Sequence, residues 1–242
     1  MTRRQLLAFA VPVAAMAQSR GAAPRRKVVC VGGHPDDPES GCGGTLARYA
    51  ALGHAVTIIY LTRGEAGIRG KSPEEAAAIR SAECEAACRI LGARPVFAGQ
   101  IDGATVVDAK AAQSLGRLVA ESDPDVLLTQ WPIDSHLDHQ AASILTYRAW
   151  LAGGQRSELF YFEVNQGSQT MGFHPTDYVD ITSVREKKKA ALFAHKSQDG
   201  ESIYSRHHLP MEEFRGREAG CAAAEAFVRL SRSRAAGLPG LS

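Results

Sequence analysis

Short apolar runs alternate along this chain with longer segments in which apolar residues recur every three or four positions. The run at 56–61 is apolar along its length, a pattern typical of a parallel strand that is covered on both faces. The same pattern, applied along the chain, predicts six strands, at 28–31, 56–61, 96–97, 126–129, 159–164 and 178–181.

Helices are predicted between and after these strands, at 43–52, 73–91, 108–122, 139–151, 184–195 and 218–230. The second helix has the clearest boundaries, since Ser72 and Glu75 form a capping box around Pro73 and Gly92 follows the last turn. Strands that alternate with helices indicate a doubly wound sheet. We therefore predict an α/β fold, a three-layer sandwich with a mostly parallel sheet, in a single domain over 27–232.

Residues 1–18 have the pattern of a targeting segment. Arg3 and Arg4 precede an apolar run at 6–17, which ends in small residues. Paired arginines directly before such a run resemble a twin-arginine export signal, so the chain is predicted to be exported to the periplasm or the extracellular space. A short membrane anchor or an ordinary secretion signal is the alternative, but the run is shorter than a bilayer-spanning helix. No later segment is apolar enough for stable membrane insertion.

Composition narrows the class of protein further. The chain has 242 residues, of which 45% are hydrophobic and 22% charged, as expected of a globular domain with a substantial core. Its formal net charge is +2, which Arg3 and Arg4 account for, so no basic surface for a nucleic-acid partner is indicated. The five cysteines include no C-x-x-C pair, and Cys84 and Cys88 are interpreted as small buried thiols.

Two polar clusters directly follow predicted strands. His34, Asp36 and Asp37 come after the first strand, and His136 and His139 come after the fourth. Ligands of open parallel sheets bind beyond the carboxyl ends of the strands, near the point where the strand order reverses. Both clusters are therefore expected at the edge of the sheet where a ligand site forms.

His34 and Asp37 are spaced to converge on one cation, and a histidine of the second cluster, His136 or His139, would complete a three-ligand set with an open position for water. Nitrogen and oxygen ligands without thiolate favour Zn²⁺, with Fe²⁺, Co²⁺ or Mn²⁺ as alternatives. Such an ion makes hydroxide available at neutral pH, and Asp36 is the neighbouring carboxylate that could take the proton. Each cluster also has a structural interpretation, as a turn with a helix cap or as a chance pair of histidines.

Other polar or glycine-rich positions have weaker signals. The glycine run at 41–44 lacks the G-x-G-x-x-G spacing of dinucleotide sites and is interpreted as close packing beside the site. The lysine run at 187–189 is interpreted as a solvated helix face. His195 has either a structural or a pocket-lining role, and His207 and His208 lie in a polar loop that could reach the site.

Beyond these clusters, the chain resembles the PIG-L family, also called LmbE-like. The signature of that family is a His-Pro-Asp-Asp turn near the N-terminus, here at 34–37, with a later His-x-x-His, here at 136–139. One departure is Pro38, which stands before Glu39 where glutamate often follows the Asp-Asp pair directly. The likeness extends over about 27–198 and includes matching segments at 61–65, 80–92, 101–103, 178–181 and 195–198.

This resemblance implies a Rossmann-like fold that binds no nucleotide. It implies that the metal ligands are His34, Asp37 and His139, with Asp36 as the general base and a charged His136 as the partner of the oxyanion. Three further polar residues fall where family members contact the sugar or its acidic substituent: Glu65, Arg80 and Asp102.

The leading hypothesis is an exported, zinc-dependent N-deacetylase that acts on an N-acetylglucosamine-type sugar or glycoconjugate. Two alternatives stay open: a non-catalytic carbohydrate-binding protein with the same fold, and an amidase that acts on a larger conjugate. A small-molecule or glycoconjugate substrate is the expected partner. The sequence does not determine the acyl group, the native metal or the oligomeric state, a homo-oligomer included.

Overall fold

The structure is a computed structural model, and it describes residues 24–230. Its strands are β1 (Lys27–Gly32), β2 (Ala55–Tyr60), β3 (Arg94–Phe97), β4 (Val126–Gln130), β5 (Glu158–Phe162), β6 (Asp177–Asp180) and β7 (Ala224–Leu230). These form one seven-stranded sheet in the order β3-β2-β1-β4-β5-β7-β6. Strands β1 to β5 pair in parallel, whereas β7 runs antiparallel to both β5 and β6. The predicted α/β fold with a mostly parallel sheet is confirmed.

Helices cover both faces of this sheet. They are α1 (Asp37–Ala51), α2 (Pro73–Leu91), α3 (Ala109–Ser122), α4 (Leu137–Ala152), α5 (Arg185–Phe193), α6 (Gly200–Ile203) and α7 (Leu209–Ala219), with a π-helical turn at Tyr204–His208 between the last two. α1, α2 and α5 pack on one face, and α3 and α4 on the other. Alternate residues of β1 serve the two layers: Val28 and Cys30 join the core under α1 and α2, whereas Val29 and Val31 join the core under α3 and α4.

The strand order reverses between β1 and β4. The chain proceeds from β1 outward to β2 and β3, and then returns to β4 on the other side of β1. Helices α1 and α4 begin beyond the carboxyl ends of these two strands, at Asp37 and Leu137. The two polar clusters of the sequence therefore meet at the switch point of the sheet, where open α/β folds bind their ligands.

The predicted final helix at 218–230 is wrong. α7 ends at Ala219, where Gly220 takes a left-handed conformation with φ 74°, and Ala224–Leu230 forms strand β7. Alanine and glutamate favour helices, but this segment completes the sheet by pairing with a strand on each side. Tertiary pairing therefore outweighs the local helical preference.

Helix α1 begins earlier than predicted, at Asp37, and carries the glycine run against the sheet. A Cβ atom on Gly44 would lie 2.6 Å from Cγ2 of Ile181, and one on Gly41 would lie 2.8 Å from the carbonyl oxygen of Glu163. These two glycines therefore let α1 approach the ends of the neighbouring strands. The interpretation of the run as close packing is confirmed.

Some predictions fall outside the described residues. The export signal at 1–18 and positions 231–232 of the predicted domain are among them, so export and the domain boundaries stay predictions. Within 24–230, no helix combines the length and the apolar character needed to cross a bilayer. All five cysteines are free, and Cys84 and Cys88 are buried thiols, as predicted.

Replacing Gly44 by alanine tests the close packing of α1. The added methyl group would overlap Ile181, so we expect Gly44→Ala to lower the free energy of unfolding by about 1–3 kcal/mol. Gly116→Ala is the matched control, because a Cβ atom there, within α3, would meet no atom within 4 Å. That change should be neutral or stabilise by about 0.5–1 kcal/mol. Urea denaturation compares the two, and equal stabilities would contradict the packing argument.

Candidate metal centre

The loops after β1 and β4 approach each other closely at the switch point. The backbone N–H of Gly33 donates to Oε1 of Gln130 at 2.8 Å, which ties the first loop to the end of β4. A Cβ atom on Gly33 would lie 3.2 Å from Cδ2 of His139 and 3.3 Å from the backbone of Asp138. The lack of a side chain at Gly33 thus allows the two clusters to meet.

Two imidazoles, one from each loop, converge on the carboxylate of Asp37. Its Oδ2 atom lies 3.1 Å from Nδ1 of His34, and its Oδ1 atom lies 3.1 Å from Nε2 of His139. All three residues are buried. Donor atoms that bind one tetrahedral zinc ion at about 2.0–2.2 Å are themselves about 3.4 Å apart. Each imidazole nitrogen lies about that far from one oxygen of Asp37, and the role of the three residues as ligands of one cation stays a prediction.

The outer nitrogen of each of these histidines faces a carboxylate. Nε2 of His34 lies 3.0 Å from Oδ2 of Asp138 and 3.1 Å from Oδ1 of Asp102. Nδ1 of His139 lies 3.1 Å from Oδ1 of Asp134. Metal-binding histidines characteristically direct their second nitrogen at a carboxylate or carbonyl, which fixes the ring and its tautomer. The surroundings of both rings therefore fit a metal site independently of the ligand spacing.

Asp134 and Asp138 have no role in the sequence-based prediction. Both belong to the same six-residue cluster as His136 and His139, and this closeness was the available signal. Asp134 also accepts the backbone N–H of His136 at 2.8 Å, so it orders the turn before α4. Which imidazole each carboxylate faces depends on the packing of the loops, and spacing along the chain does not reveal it.

The carboxylates around His34 and His139 favour the protonated form of both rings. Burial opposes ionisation of Asp37, but His139 and His34 hold the pKa of its carboxyl well below the usual range. Burial lowers the pKa of His139, but Asp37 and Asp134 raise it to about 9 overall. Burial also lowers the pKa of His34, but Asp37, Asp102 and Asp138 raise it well above its ordinary value overall. Protons on the histidines and a metal cation thus compete for one set of negative charges.

Two further groups of side chains could hold a cation. One comprises the ring nitrogens of His34, His136 and His139, and the other comprises His34 with the two carboxylates around its Nε2 atom. We favour the set that contains Asp37, because its carboxylate contacts both His34 and His139. Nδ1 of His136 is instead engaged by the backbone N–H of Asp138 at 3.3 Å, where it caps α4.

Asp36 lies directly before α1 in a strained backbone conformation, with φ 108°. Its N–H donates to Oε2 of Glu39 at 3.2 Å, and Nη2 of Arg80 lies 3.2 Å from its Oδ1 atom. Arg80 is only 3% exposed and also donates to the carbonyl oxygen of Pro35. Burial raises the pKa of Asp36, although Arg80 opposes the shift. Arg80, predicted to contact the sugar, therefore holds the turn that carries Asp36.

A buried network supports the same turn from behind. Oε1 of Glu39 accepts the hydroxyl of Tyr60 at 2.7 Å and lies 3.1 Å from Nε2 of His195. Glu39 and His195 are both fully buried. Of the two roles left open by the sequence, His195 therefore has the structural one.

A cavity of about 520 Å³ opens over the cluster. It is within the range of about 300–1,000 Å³ that is usual for small-molecule sites. One part of its wall is apolar and comes from Val164, Leu192 and Ile203. The polar part contains seven of the eight predicted site residues: His34, Asp36, Asp37, Arg80, Asp102, His136 and His139.

Glu65 is the predicted site residue that does not line this cavity. Its carboxylate accepts the backbone N–H of Arg63 at 3.1 Å and that of Asp102 at 3.3 Å. Asp102 in turn accepts the N–H of Ala66 at 3.0 Å. Glu65 therefore joins two loops, and Asp102 is the residue of this pair that faces the cavity.

Comparison with known proteins identifies the family of this chain. A family model described as PIG-L, GlcNAc-PI de-N-acetylase, matches residues 29–150. The chain belongs to the PIG-L family.

Curated relatives in the PIG-L family carry deacetylase names. Diacetylchitobiose deacetylase of Thermococcus kodakarensis is 29% identical over 193 residues, which cover 74% of this chain and 72% of the relative. A 1D-myo-inositol 2-acetamido-2-deoxy-alpha-D-glucopyranoside deacetylase of Mycobacteroides abscessus is 27% identical over 237 residues, which cover 74% of this chain and 85% of the relative. Both names describe removal of an acetyl group from an N-acetylglucosamine-type sugar.

The fold also occurs with a different reaction. The structure of GalB, the 4-carboxy-2-hydroxymuconate hydratase of Pseudomonas putida, has a TM-score of 0.77 and 24% identity, and the match covers 88% of this chain and 99% of that chain. At that identity the likeness shows the fold alone. The reaction of a PIG-L-family protein must therefore be argued from its site.

Asp134→Asn tests the support of His139 from its outer side. The amide keeps an oxygen acceptor for the turn but removes the negative charge beside Nδ1, so we expect the affinity for zinc to fall by about 10–100-fold. Competition with a chromophoric chelator measures this affinity. Asp123→Asn, at an exposed aspartate on the opposite edge of the sheet, is the matched control. An unchanged zinc affinity in Asp134→Asn would contradict the role of the Asp134 carboxylate in supporting His139.

Proposed function

We propose that this PIG-L-family protein is a metal-dependent hydrolase that removes an N-acetyl, or other N-acyl, group from an N-acetylglucosamine-type sugar or glycoconjugate. One observation carries the proposal: the buried residues His34, Asp37 and His139 contact one another and line a cavity that Asp36 also lines. Zn²⁺ is the expected ion, with Fe²⁺, Co²⁺ or Mn²⁺ as alternatives.

Asp36 is the proposed general base. A zinc ion held by His34, Asp37 and His139 would supply a nucleophile from water at neutral pH and polarise the carbonyl oxygen of the amide. The carboxylate of Asp36 takes the proton of that water and returns it to the nitrogen of the leaving amine. Burial raises the pKa of Asp36, which suits a group that must both accept and release a proton. Arg80 fixes the orientation of this carboxylate.

His136 is the proposed partner of the carbonyl oxygen, as a neutral ring. Burial and the neighbouring His34 and His139 lower its pKa, and the start of α4 also disfavours a cation there. Because Nδ1 accepts the N–H of Asp138, the neutral ring carries its proton on Nε2. An Nε2–H donor can stabilise an oxyanion without a full charge. This differs from the charged imidazole that the family resemblance implies.

Acetate release together with metal content tests the proposal. Purified protein is incubated with N-acetylglucosamine, diacetylchitobiose and an N-acetylglucosaminyl inositol, and acetate and free amine are measured. We expect turnover that a chelator abolishes and added zinc restores. The wild type should contain near-stoichiometric metal. His34→Ala and His139→Ala should each lose it. Full metal retention in both variants would overturn the metal assignment. So would acetate release by variants that have lost the metal.

Asp36→Asn separates the base from the ligands. The variant should keep its metal and lose about 10²–10⁴-fold in kcat, since only the proton acceptor is removed. Arg80→Gln should lower kcat with little change in KM, because its guanidinium contacts Asp36. A raised KM with unchanged kcat in Arg80→Gln would instead support the sugar contact predicted from the sequence.

The same sugars, together with larger amide conjugates, distinguish the alternative functions. Sugar binding without acetate release would favour a non-catalytic carbohydrate-binding protein. Release of acyl groups from larger amide conjugates, but not from N-acetylglucosamine, would favour an amidase.

A further inference from the structure

His208 lines the same cavity as the predicted ligands and has no role in the chemistry described above. It is the last residue of the π-helical turn at Tyr204–His208, between α6 and α7. A π turn adds a residue to one turn of a helix, shifts the side chains that follow, and is frequent at functional sites. The turn thus brings an imidazole to the cavity wall.

The ring of His208 is buried without a hydrogen-bond partner. The residue is 2% exposed, and its Nδ1 atom has no partner. No hydrogen bond among residues 24–230 involves its Nε2 atom either. Buried polar groups in native proteins are nearly always hydrogen-bonded, so an exception in a cavity wall indicates a partner from outside the chain.

A buried charge network fixes the position of this turn. Nζ of Lys188 lies 2.8 Å from Oε1 of Glu225 and 3.5 Å from Oε2 of Glu212, and the hydroxyl of Tyr204 donates to Glu212 at 2.6 Å. Tyr204 begins the π turn and Glu212 lies in α7, so the network anchors the chain on both sides of His208. The lysine run, predicted to be a solvated face, instead buries Lys188 because these two glutamates neutralise it.

The surroundings keep the ring of His208 neutral. Burial lowers the pKa of His208 to about 3, with Lys188 and His207 acting in the same direction and Asp37 opposing them. A neutral imidazole has one N–H donor and one acceptor nitrogen. The two nitrogens point away from each other and Nδ1 is buried, so a ligand group in the cavity would meet Nε2. A hydroxyl group can donate to that nitrogen or accept from it, whereas an ionised carboxylate or phosphate group can only accept.

The rest of this wall also favours an uncharged group. Val164, Leu192 and Ile203 line the cavity together with His208. Within residues 24–230, Arg80 is the sole lysine or arginine on the cavity wall, and its guanidinium is paired with Asp36. An anionic substituent would therefore meet no unpaired lysine or arginine there, while the C–H faces of a sugar ring can pack on the apolar residues.

We propose that His208 is a substrate-binding residue that hydrogen-bonds an uncharged hydroxyl group of the sugar and selects neutral over anionic substrates. This inference rests on the proposed function, because it defines the substrate class of the same site.

The test compares two substitutions of His208 in the metal-loaded full chain. His208→Phe keeps a flat ring but has no hydrogen-bonding atom, and we expect it to raise KM for diacetylchitobiose by about tenfold or more with a smaller change in kcat. His208→Gln keeps one donor and one acceptor, and its KM should stay within about threefold of the wild-type value. His174→Gln, at an exposed histidine outside the cavity, is the matched control.

Two further measurements make the outcome independent of turnover. Calorimetry in an Asp36→Asn background measures binding of diacetylchitobiose with and without His208→Phe, and metal analysis follows each variant. The wild type is also compared on N-acetylglucosamine and its 6-phosphate, and the neutral sugar should have a kcat/KM at least about tenfold higher. An equal or higher value for the phosphate would overturn the proposal.

The remaining outcomes separate this proposal from the function on which it rests. Unchanged KM and Kd in His208→Phe would overturn it, while acetate release by the wild type would leave the proposed function intact. An equal loss of substrate affinity in His208→Gln and His208→Phe, or a loss of metal in either, would indicate a structural role of His208 and also overturn the proposal. A wild type that binds the sugars without releasing acetate would overturn the deacetylase function alone. The ratio of the Kd values with and without His208→Phe would still decide the role of His208. Binding of neither sugar would overturn both.

Discussion

The site depends on one buried carboxylate that lies between two imidazoles. Asp37 contacts His34 through one oxygen and His139 through the other, at 3.1 Å each. An ionised carboxylate is costly to bury unless positive charge compensates it. The two histidines supply that charge as protons, and a metal cation would supply it more fully. The remaining features of the switch point bring these three side chains together or hold them in place.

Two glycines and one residue with a strained backbone allow this approach. Gly33 has no side chain because the loop after β4 lies against it, and Asp36 is held at φ 108° by contacts with Glu39 and Arg80. The glycine at 44 lets α1 approach the sheet so closely that Asp37 begins the helix within reach of both histidines. Strain and close packing at this point are consistent with a site whose geometry is fixed before any ligand binds.

Five buried or half-buried histidines near the cavity differ in what their ring nitrogens face. The rings of His34 and His139 lie between carboxylates on both sides, an environment that favours positive charge. His136 accepts a backbone N–H, which leaves a neutral ring with its proton on the other nitrogen. His195 faces the carboxylate of Glu39, away from the cavity. Within residues 24–230, neither a carboxylate nor a backbone group contacts the ring nitrogens of His208, and this ring lines the cavity, so it is a candidate for contact with substrate.

The sequence by itself determined the alternation of strands and helices, the edge of the sheet where both clusters lie, and the family signature at 34–37 and 136–139, because these depend on local periodicity and on short spacings. It did not determine β7, whose alanines and glutamate favour a helix until two neighbouring strands pair with them. It also could not identify Arg80 as a support of Asp36, or Lys188 as a buried cation, because their partners are distant in the chain. Contacts of that kind exist only once the chain is folded, since a charged side chain is buried only where opposite charge from another element meets it.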